Sequence, residues 1–438
     1  MSTEIEPKNN YLSNSLWMLL EKSSRIISGI LVGVLVARYL GPAQYGLINY
    51  ALSVISIFTI LSTLGLDSIV VRELITRKDR KNEILGTTFF MRLAGALLVV
   101  LGSTAYSFLR DTPDKTITVF IVSLSIALQS FAVIDFYFQS QVKGKYTAIG
   151  QVITLLVSSV VKLMLIYFSA HVYWFAAMAV FEAGLSVLNQ LRFFKKEGMD
   201  ITKWRFSLIE AKELLFHSYP LILSSLVLML YQKSGEILIL RFLRDLDFVG
   251  QYSAAVRMSE ASYFIPVAIC AAVFPGIINN RHNYELQFKR YVQLASLMIW
   301  SAIFISIGGV LLGDQVIGLL FKEKYHLSPA VFKLHIWGSI PVFFGTAWGM
   351  WMLAMNKQKI VILFQVWNLI VYLITAFYFI PKYQINGMAY AVLVTYYSGM
   401  IATLVLYQPK QSLTLFVKAL NPLQLLEVFK YGREQAKK

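Results

Sequence analysis

The sequence predicts an all-α polytopic membrane protein: twelve transmembrane helices in two six-helix lobes around a central cavity. Three observations carry that prediction. Of the 438 residues, 57% are hydrophobic and only 15% charged, and the mean hydropathy is +0.61, whereas a soluble protein has about 25% charged residues. The apolar residues come in blocks rather than in alternation or narrow stripes, and about 20 of them cross a bilayer as a helix with every backbone group satisfied internally. Finally, a motif in the first half of the chain returns in the second. These features exclude a soluble globular enzyme, a disordered chain and a disulfide scaffold. The single cysteine, Cys270, allows no intrachain disulfide.

The blocks run roughly over 13–38, 45–70, 85–109, 116–139, 147–169, 172–194, 213–240, 249–279, 290–312, 329–355, 358–380 and 386–408. The first holds Glu21, Lys22 and Arg25 and lacks a small-residue cleavage site, so it reads as a retained spanning helix and not a signal peptide. Its Gly29 and Gly33 suit close helix packing or bending. The second block ends near Asp67. The third carries Arg92, the fourth Asp135, the fifth Lys162 and the sixth Glu182. The longest polar stretch, Phe193 to Lys212, then divides the chain: a first lobe at 1–194, a cytoplasmic linker at 195–212 and a second lobe at 213–408. The seventh block contains Pro220, Lys233 and Glu236, and the eighth Arg257, Glu260, Pro266 and Pro275. Prolines there interrupt the helices, as plain structure or to shape a site. Lys333 lies near the end of the tenth block, where a lysine snorkels. The last two blocks hold no charge beyond Lys359 at an edge, which places them against lipid. In the tail, 409–438, Asn421 and Pro422 read as a helix cap and first position. Leu423, Leu426 and Phe429 follow at helical spacing, with Lys430, Arg433, Lys437 and Lys438 beyond them. This suits a basic amphipathic tail on the cytoplasmic membrane surface.

The net charge is +16. In a soluble protein that suggests nucleic acid, but lysine and arginine also concentrate in the cytoplasmic loops of membrane proteins. With both termini cytoplasmic, 25 of the 40 Lys and Arg fall on the inner side, 8 on the outer and 7 within spans. That bias fixes the topology and removes nucleic acid as a partner.

The repeat lies at the ends of the first and seventh blocks. Ala37-Arg38-Tyr39-Leu40 precedes Tyr45-Gly46-Leu47, and Leu240-Arg241-Phe242-Leu243 precedes Val249-Gly250-Gln251. Arg, an aromatic residue and Leu recur, and a glycine follows eight or nine residues after the arginine. Both halves start on the same side, so the two lobes are related by an axis along the membrane normal.

These same residues carry a family resemblance. ARYLGPAQYGLINYALS resembles the first outer hairpin of polysaccharide flippases of the Wzx type, in the multidrug/oligosaccharidyl-lipid/polysaccharide exporter superfamily. FQSQVKGKY resembles that family's inner-loop pattern. LLFKEKY and PKYQINGMAYA resemble two of its outer hairpins, with Lys322 and Gln384 where glycine is usual. The resemblance implies alternating-access flipping of an undecaprenyl-pyrophosphate-linked oligosaccharide, such as an O-antigen unit, from the inner to the outer leaflet of a bacterial inner membrane. It leaves open a polysaccharide polymerase and chain-length proteins as partners.

The chemistry of the chain lies in its intramembrane charges. A charge at mid-bilayer costs on the order of 3 kcal/mol on the mildest scale, so these groups must pair, snorkel or face a wet interior. Glu21 with Arg25, Lys233 with Glu236 and Arg257 with Glu260 stand three or four apart on one helix. Lys22, Arg92 and Lys162 have no such neighbour, and are the strongest candidates for cavity charge. Lys22, Arg25, Arg92, Lys162, Lys233 and Arg257 could hold a pyrophosphate, arginine by bidentate hydrogen bonding. They could equally pair across helices with acids such as Asp135 and Glu182. The acids Asp67, Asp135, Glu182, Glu236 and Glu260 could bind H⁺ or Na⁺ or serve as counter-ions. No nucleotide-binding loop is present. The five histidines form no metal-like pair, so no cofactor or metal is expected. The alternatives are a cation-coupled multidrug exporter of the same superfamily, whose cavity would be net acidic, and a membrane glycan polymerase or ligase. The latter are enzymes with a large outer loop, and the outer loops here are short.

Overall fold

A computed structural model describes residues 7–278, 283–355 and 357–424. The regular elements among them are all helical. The chain falls into two compact units, Met1–Ile237 and Leu238–Lys438.

The first unit contains α1 (Pro7–Phe58), α2 (Ile60–Thr63), α3 (Asp67–Thr76), α4 (Lys81–Arg110), α5 (Pro113–Gln129), α6 (Val133–Ser140), α7 (Gly144–Tyr167), α8 (Val172–Lys196) and α9 (Leu208–Lys233). α1 is two helices joined at Gly41, whose φ of 72° suits glycine, and Pro42 opens the second of them. α1 packs along α7, with Ser28 and Ser159 hydroxyls 2.9 Å apart and the Tyr39 hydroxyl donating to the Ala170 carbonyl at 2.9 Å. The core of this unit joins Leu66, Val70 and Leu74 of the α3 region to Ile84 and Leu85 of α4, Ile134 and Phe138 of α6 and Phe194 of α8.

The polar stretch at 195–212, expected as the linker between lobes, lies within the first compact unit. That stretch is docked, not loose. Arg205 N–H donates to the Asn82 carbonyl, and Ser207 N–H donates to the Thr87 hydroxyl at 3.0 Å. The Trp204 ring lies tilted 5.3 Å from that of Phe89 and meets Phe194 edge-on at 6.0 Å. Gly86 makes room for this strand of chain: a Cβ there would meet the Arg205 backbone at 2.6 Å. α9 is thereby tied to the first unit.

Helix α10 (Gly235–Leu243) leads into the second unit, which contains α11 (Leu246–Glu260), α12 (Phe264–Ile278), α13 (Tyr284–Phe321), α14 (Ser328–His335), α15 (Ser339–Ala354), α16 (Gln358–Leu406) and α17 (Pro409–Leu420). Its core gathers Tyr291, Met298 and Ala302 of α13, Phe343, Phe344 and Trp351 of α15, Leu404 of α16 and Leu415 of α17. α17 lies in the first part of the expected tail. Asn421 does act as a cap, its side chain accepting from Leu423 N–H at 3.0 Å. The helix expected through Leu426 and Phe429 lies outside the described residues.

Seven helical stretches among the described residues are long and apolar enough to cross a membrane, or eight with the bent pair Leu208–Tyr219 and Leu221–Lys233. Two of the seven, Ser28–Thr76 and Ile360–Leu406, have 49 and 47 residues. At about 1.5 Å per residue each is long enough for two passes of a bilayer about 30 Å thick. The expected blocks at 249–279 and 329–355 are split by 3₁₀ turns, Ala261–Tyr263 and Ile336–Gly338, into shorter helices. The protein is an all-α, multi-pass membrane protein. In the Ile360–Leu406 stretch, only 11% of the most apolar window is buried.

The sequence repeat has a backbone counterpart. Gly41 follows Arg38-Tyr39-Leu40 with φ 72°, and Arg244 follows Arg241-Phe242-Leu243 with φ 58°. The second helix of each half is broken, at Leu64–Gly65 and at Ala261–Tyr263. The fourth of each half is broken too, by 3₁₀ turns at Ser130–Ala132 and Ile336–Gly338. The last hairpin of each half turns on a left-handed residue, Ser169 and Gln384.

Candidate functional site: charges held within the spanning helices

The most deeply set of the expected cations is Arg92 on α4, whose side chain is 6% exposed. Its Nη1 donates to Oδ1 of Asp67 at 2.9 Å, and its guanidinium carbon lies 5.4 Å from the centre of the Phe136 ring. Its Nε is buried with no hydrogen-bond partner. Asp67 opens α3 immediately after a break in which Leu64 and Gly65 both adopt positive φ. The break turns the carboxylate toward α4, and the first turn of α3 favours a negative charge. Two further contacts lock α4 to the broken segment. Ser62 donates to the Arg92 carbonyl at 3.1 Å, and at Gly95 a Cβ would lie 1.9 Å from the Leu61 carbonyl oxygen. Asp67 itself is 64% exposed, so one member of the pair is sequestered and the other accessible.

Lys162 of α7 meets Glu182 of α8 at 2.5 Å, with both half-buried. Arg92 and Lys162 have no acid three or four residues away, and each has found one on a neighbouring helix. Asp135 of α6 accepts from Gln139 at 2.9 Å and from the Thr147 hydroxyl of α7 at 2.6 Å. Glu236, at the start of α10, accepts from the Ser53 hydroxyl at 3.0 Å. Arg25, Lys233, Arg257 and Glu260 are exposed on their helices. The side chains of Glu21 and Lys22 lie outside the described residues. Lys333, expected to snorkel, pairs with Asp314 of α13.

Sequence reasoning missed a second charge cluster, at the junction of α3, α4 and α9. Glu210 is fully buried there. Arg77 reaches it at 2.6 Å, Glu73 at 2.8 Å and Glu213 at 3.2 Å, while Arg80 spans Glu210 and Glu83. Burial alone would lower the Arg77 pKa, but Glu210 and then Glu73 and Glu213 outweigh it, and the guanidinium is held above its ordinary value. Beside the turn before α7, Lys143 pairs with Glu197. The hydrogen bond from Lys143 is the main cause that lowers the Glu197 pKa, and the same bond raises that of Lys143. Nothing in the linear sequence marks Glu210, since its partners Arg77 and Arg80 come from 133 and 130 residues earlier on other elements. In the second unit, His335 is also buried, its Nδ1 2.7 Å from the Ser259 hydroxyl.

A profile of the family described as polysaccharide biosynthesis protein matches residues 11–281. That is more than half of the chain. The chain belongs to the polysaccharide biosynthesis protein family. Its membership agrees with the Wzx-type resemblance of the loop motifs. A Shigella flexneri protein that carries the name of an O-antigen transporter is 24% identical over 399 residues, covering 86% of this chain and 93% of that one. The succinoglycan biosynthesis transport protein ExoT of Rhizobium meliloti (strain 1021) is 24% identical over 335 residues, covering 72% and 66%. Among solved structures, the lipid II flippase MurJ in an inward closed conformation superposes with a TM-score of 0.74 at 14% identity, covering 95% of this chain and 93% of that one. At that identity the match shows a shared fold. The relatives are transport proteins by name, and this family member is a transporter and not an enzyme.

Proposed function

We propose that this family member is a flippase. In this reading it moves an undecaprenyl-pyrophosphate-linked oligosaccharide, an O-antigen or related surface-polysaccharide unit, from the inner to the outer leaflet of a bacterial inner membrane. Both termini are cytoplasmic, and a polysaccharide polymerase and chain-length proteins act after it. The observation that carries the reading is the Arg92–Asp67 pair: a guanidinium sequestered inside a spanning helix, with one nitrogen unfilled, opposite an exposed carboxylate. The names of the relatives and the fold shared with a lipid-linked-precursor flippase support the substrate class.

The physical logic is exchange. An unpaired charge within the bilayer costs on the order of 3 kcal/mol or more, so an empty transporter keeps its cations neutralised by its own acids. Asp67 and Glu182 act as placeholders. A pyrophosphate offers Arg92 and Lys162 stronger, charge-assisted bonds, and arginine can take it in bidentate fashion. A proton or Na⁺ arriving at the displaced carboxylate would keep the exchange electrically balanced, and this would couple flipping to an ion gradient. Lys22, Arg25, Lys233 and Arg257 would extend the cationic path, with Asp135, Glu236 and Glu260 as further counter-ions. Alternating access between the two sides of the membrane completes the cycle.

The test is complementation. The gene is deleted in its host, surface polysaccharide is scored, and wild type, Arg25→Ala, Arg92→Ala and Lys162→Ala are restored at matched membrane levels. Loss of surface glycan on deletion, with lipid-linked intermediates accumulating inside and failure of the variants, is the expected result. Full function of all three variants would leave the flippase standing but refute the exchange mechanism. Intact surface glycan together with new sensitivity to cationic drugs would replace the flippase with an exporter.

A further inference from the structure

We propose that the hairpin between α13 and α14 forms a seat for the phosphate headgroup of a lipid. This does not rest on the flippase reading. A pocket of about 650 Å³ lies there within the second unit. Pro329 gives it a partly exposed apolar side over the buried Ile317, and Lys322, Lys324 and His326 with the single acid Glu323 surround it. All four of these polar side chains are exposed. Two lysines against one carboxylate leave it cationic.

Two features show that the pocket is built and not incidental. The first is strain. Lys322 has φ 61° and ψ −172°, a backbone region that is essentially glycine's and costs another residue on the order of 1–3 kcal/mol. Its N–H nonetheless caps α13 by donating to the Gly318 carbonyl at 3.0 Å. The chain therefore holds an amine at the pocket in a conformation where a glycine would be relaxed. The second is a clamp from below. Gln251 of α11 is fully buried. Its Nε2 donates to the Lys324 carbonyl at 2.9 Å, and its Oε1 accepts from the Ser328 hydroxyl at 2.9 Å and from Leu327 N–H. Tyr325, 1% exposed, anchors the same turn against Phe321. The backbone is thus fixed at both ends while the cationic side chains stay outside.

The position selects the ligand class. α13 is long and apolar enough to cross the membrane within Glu285–Phe321, and the pocket follows the C-terminal end of that helix, on the side where it leaves the apolar layer. An apolar wall beside a cationic rim at that depth matches a phosphate on an acyl or prenyl chain. A free sugar has no use for two lysines, and an inorganic ion has none for the apolar wall.

The full-length protein in detergent is titrated with phosphatidylglycerol, a polyprenyl phosphate, phosphatidylcholine and inorganic phosphate, and bound lipid is read by native mass spectrometry. Wild type is compared with Lys322→Gly, which removes the amine and relieves the backbone, and with Lys322→Gly/Lys324→Gln. Each lysine is expected to contribute about fivefold to retention of an anionic lipid, with phosphatidylcholine and inorganic phosphate little affected. Loss confined to phosphatidylglycerol identifies the ligand as bulk phospholipid, and loss confined to the polyprenyl phosphate identifies it as a prenyl carrier. Unchanged retention of both lipids in the double variant overturns the proposal. Since Lys322→Gly is expected to raise the melting temperature, a loss of lipid in that variant is not a loss of fold.

Discussion

Arg92 and Asp67 stand 25 residues apart, and neither has an opposite charge within a helical turn. Their pairing depends on Leu64 and Gly65 turning the chain so that Asp67 opens a new helix facing α4. Removing one partner of a buried pair leaves an uncompensated charge, which costs about 3–5 kcal/mol. Asp67→Asn is expected at the low end of that range, because Asp67 is largely exposed. The double variant Asp67→Asn/Arg92→Gln should recover much of the loss, which a double-mutant cycle on melting in detergent would show. Outside the spans, the Lys143–Glu197 pair makes a pH prediction. The folded protein holds Glu197 below its ordinary 4.5, so the stability it contributes is present above that value. It is lost as pH falls through the lowered one. Glu197→Gln should therefore flatten the acid limb of a stability-against-pH curve below about pH 4.5 and leave the neutral range with only the loss of one hydrogen bond. An unchanged acid limb would refute the assignment.

At the scale of elements, apolar length was enough to read the helical blocks, and Pro220 marked the bend between Leu208–Tyr219 and Leu221–Lys233, but other interruptions were not legible. The breaks at Ser130–Ala132, Ala261–Tyr263 and Ile336–Gly338 are 3₁₀ turns within apolar sequence and leave no local signature, whereas the break at Leu64–Gly65 falls on a glycine. The hairpins were more legible, since Gly41-Pro42 announces its own turn. Gln384 takes a comparable turn at φ 53° and ψ −130° without being glycine. Gln384→Gly should relieve strain of about 1 kcal/mol or more, partly offset by the freer unfolded chain, and raise the melting temperature. A fall would show that the Gln384 side chain stabilises the hairpin. Gly86 makes the opposite prediction. Gly86→Ala pushes a methyl to 2.6 Å from the Arg205 backbone, so the segment 200–207 must lift off α4. Limited proteolysis there should accelerate in the variant, and unchanged cleavage would mean the segment is not held by that contact.

At the scale of the whole molecule, the two halves repeat their backbone devices, yet they differ in chemistry. The first unit holds the two cross-helix pairs Arg92–Asp67 and Lys162–Glu182 and the buried Glu210 cluster. The second buries His335 against Ser259. If the acids are placeholders, Asp67→Asn and Glu182→Gln should shift the dependence of transport on the proton or Na⁺ gradient in reconstituted vesicles. Identical gradient dependence in both variants would assign these acids a structural role alone.

The sequence by itself determined that the chain lives in a membrane, roughly where its apolar helical blocks lie, that its halves share a motif and which residues carry charge within those blocks. Those are properties of composition and of spacing along one helix. It did not determine which acid answers which base. That choice depends on the rotation and register of neighbouring helices, where one residue turns a side chain by about 100° and shifts it about 1.5 Å. The tertiary structure decided it. Broken helices and close approaches at Gly86 and Gly95 set those registers, and so gave Arg92 to Asp67, Lys162 to Glu182 and Arg77 to Glu210.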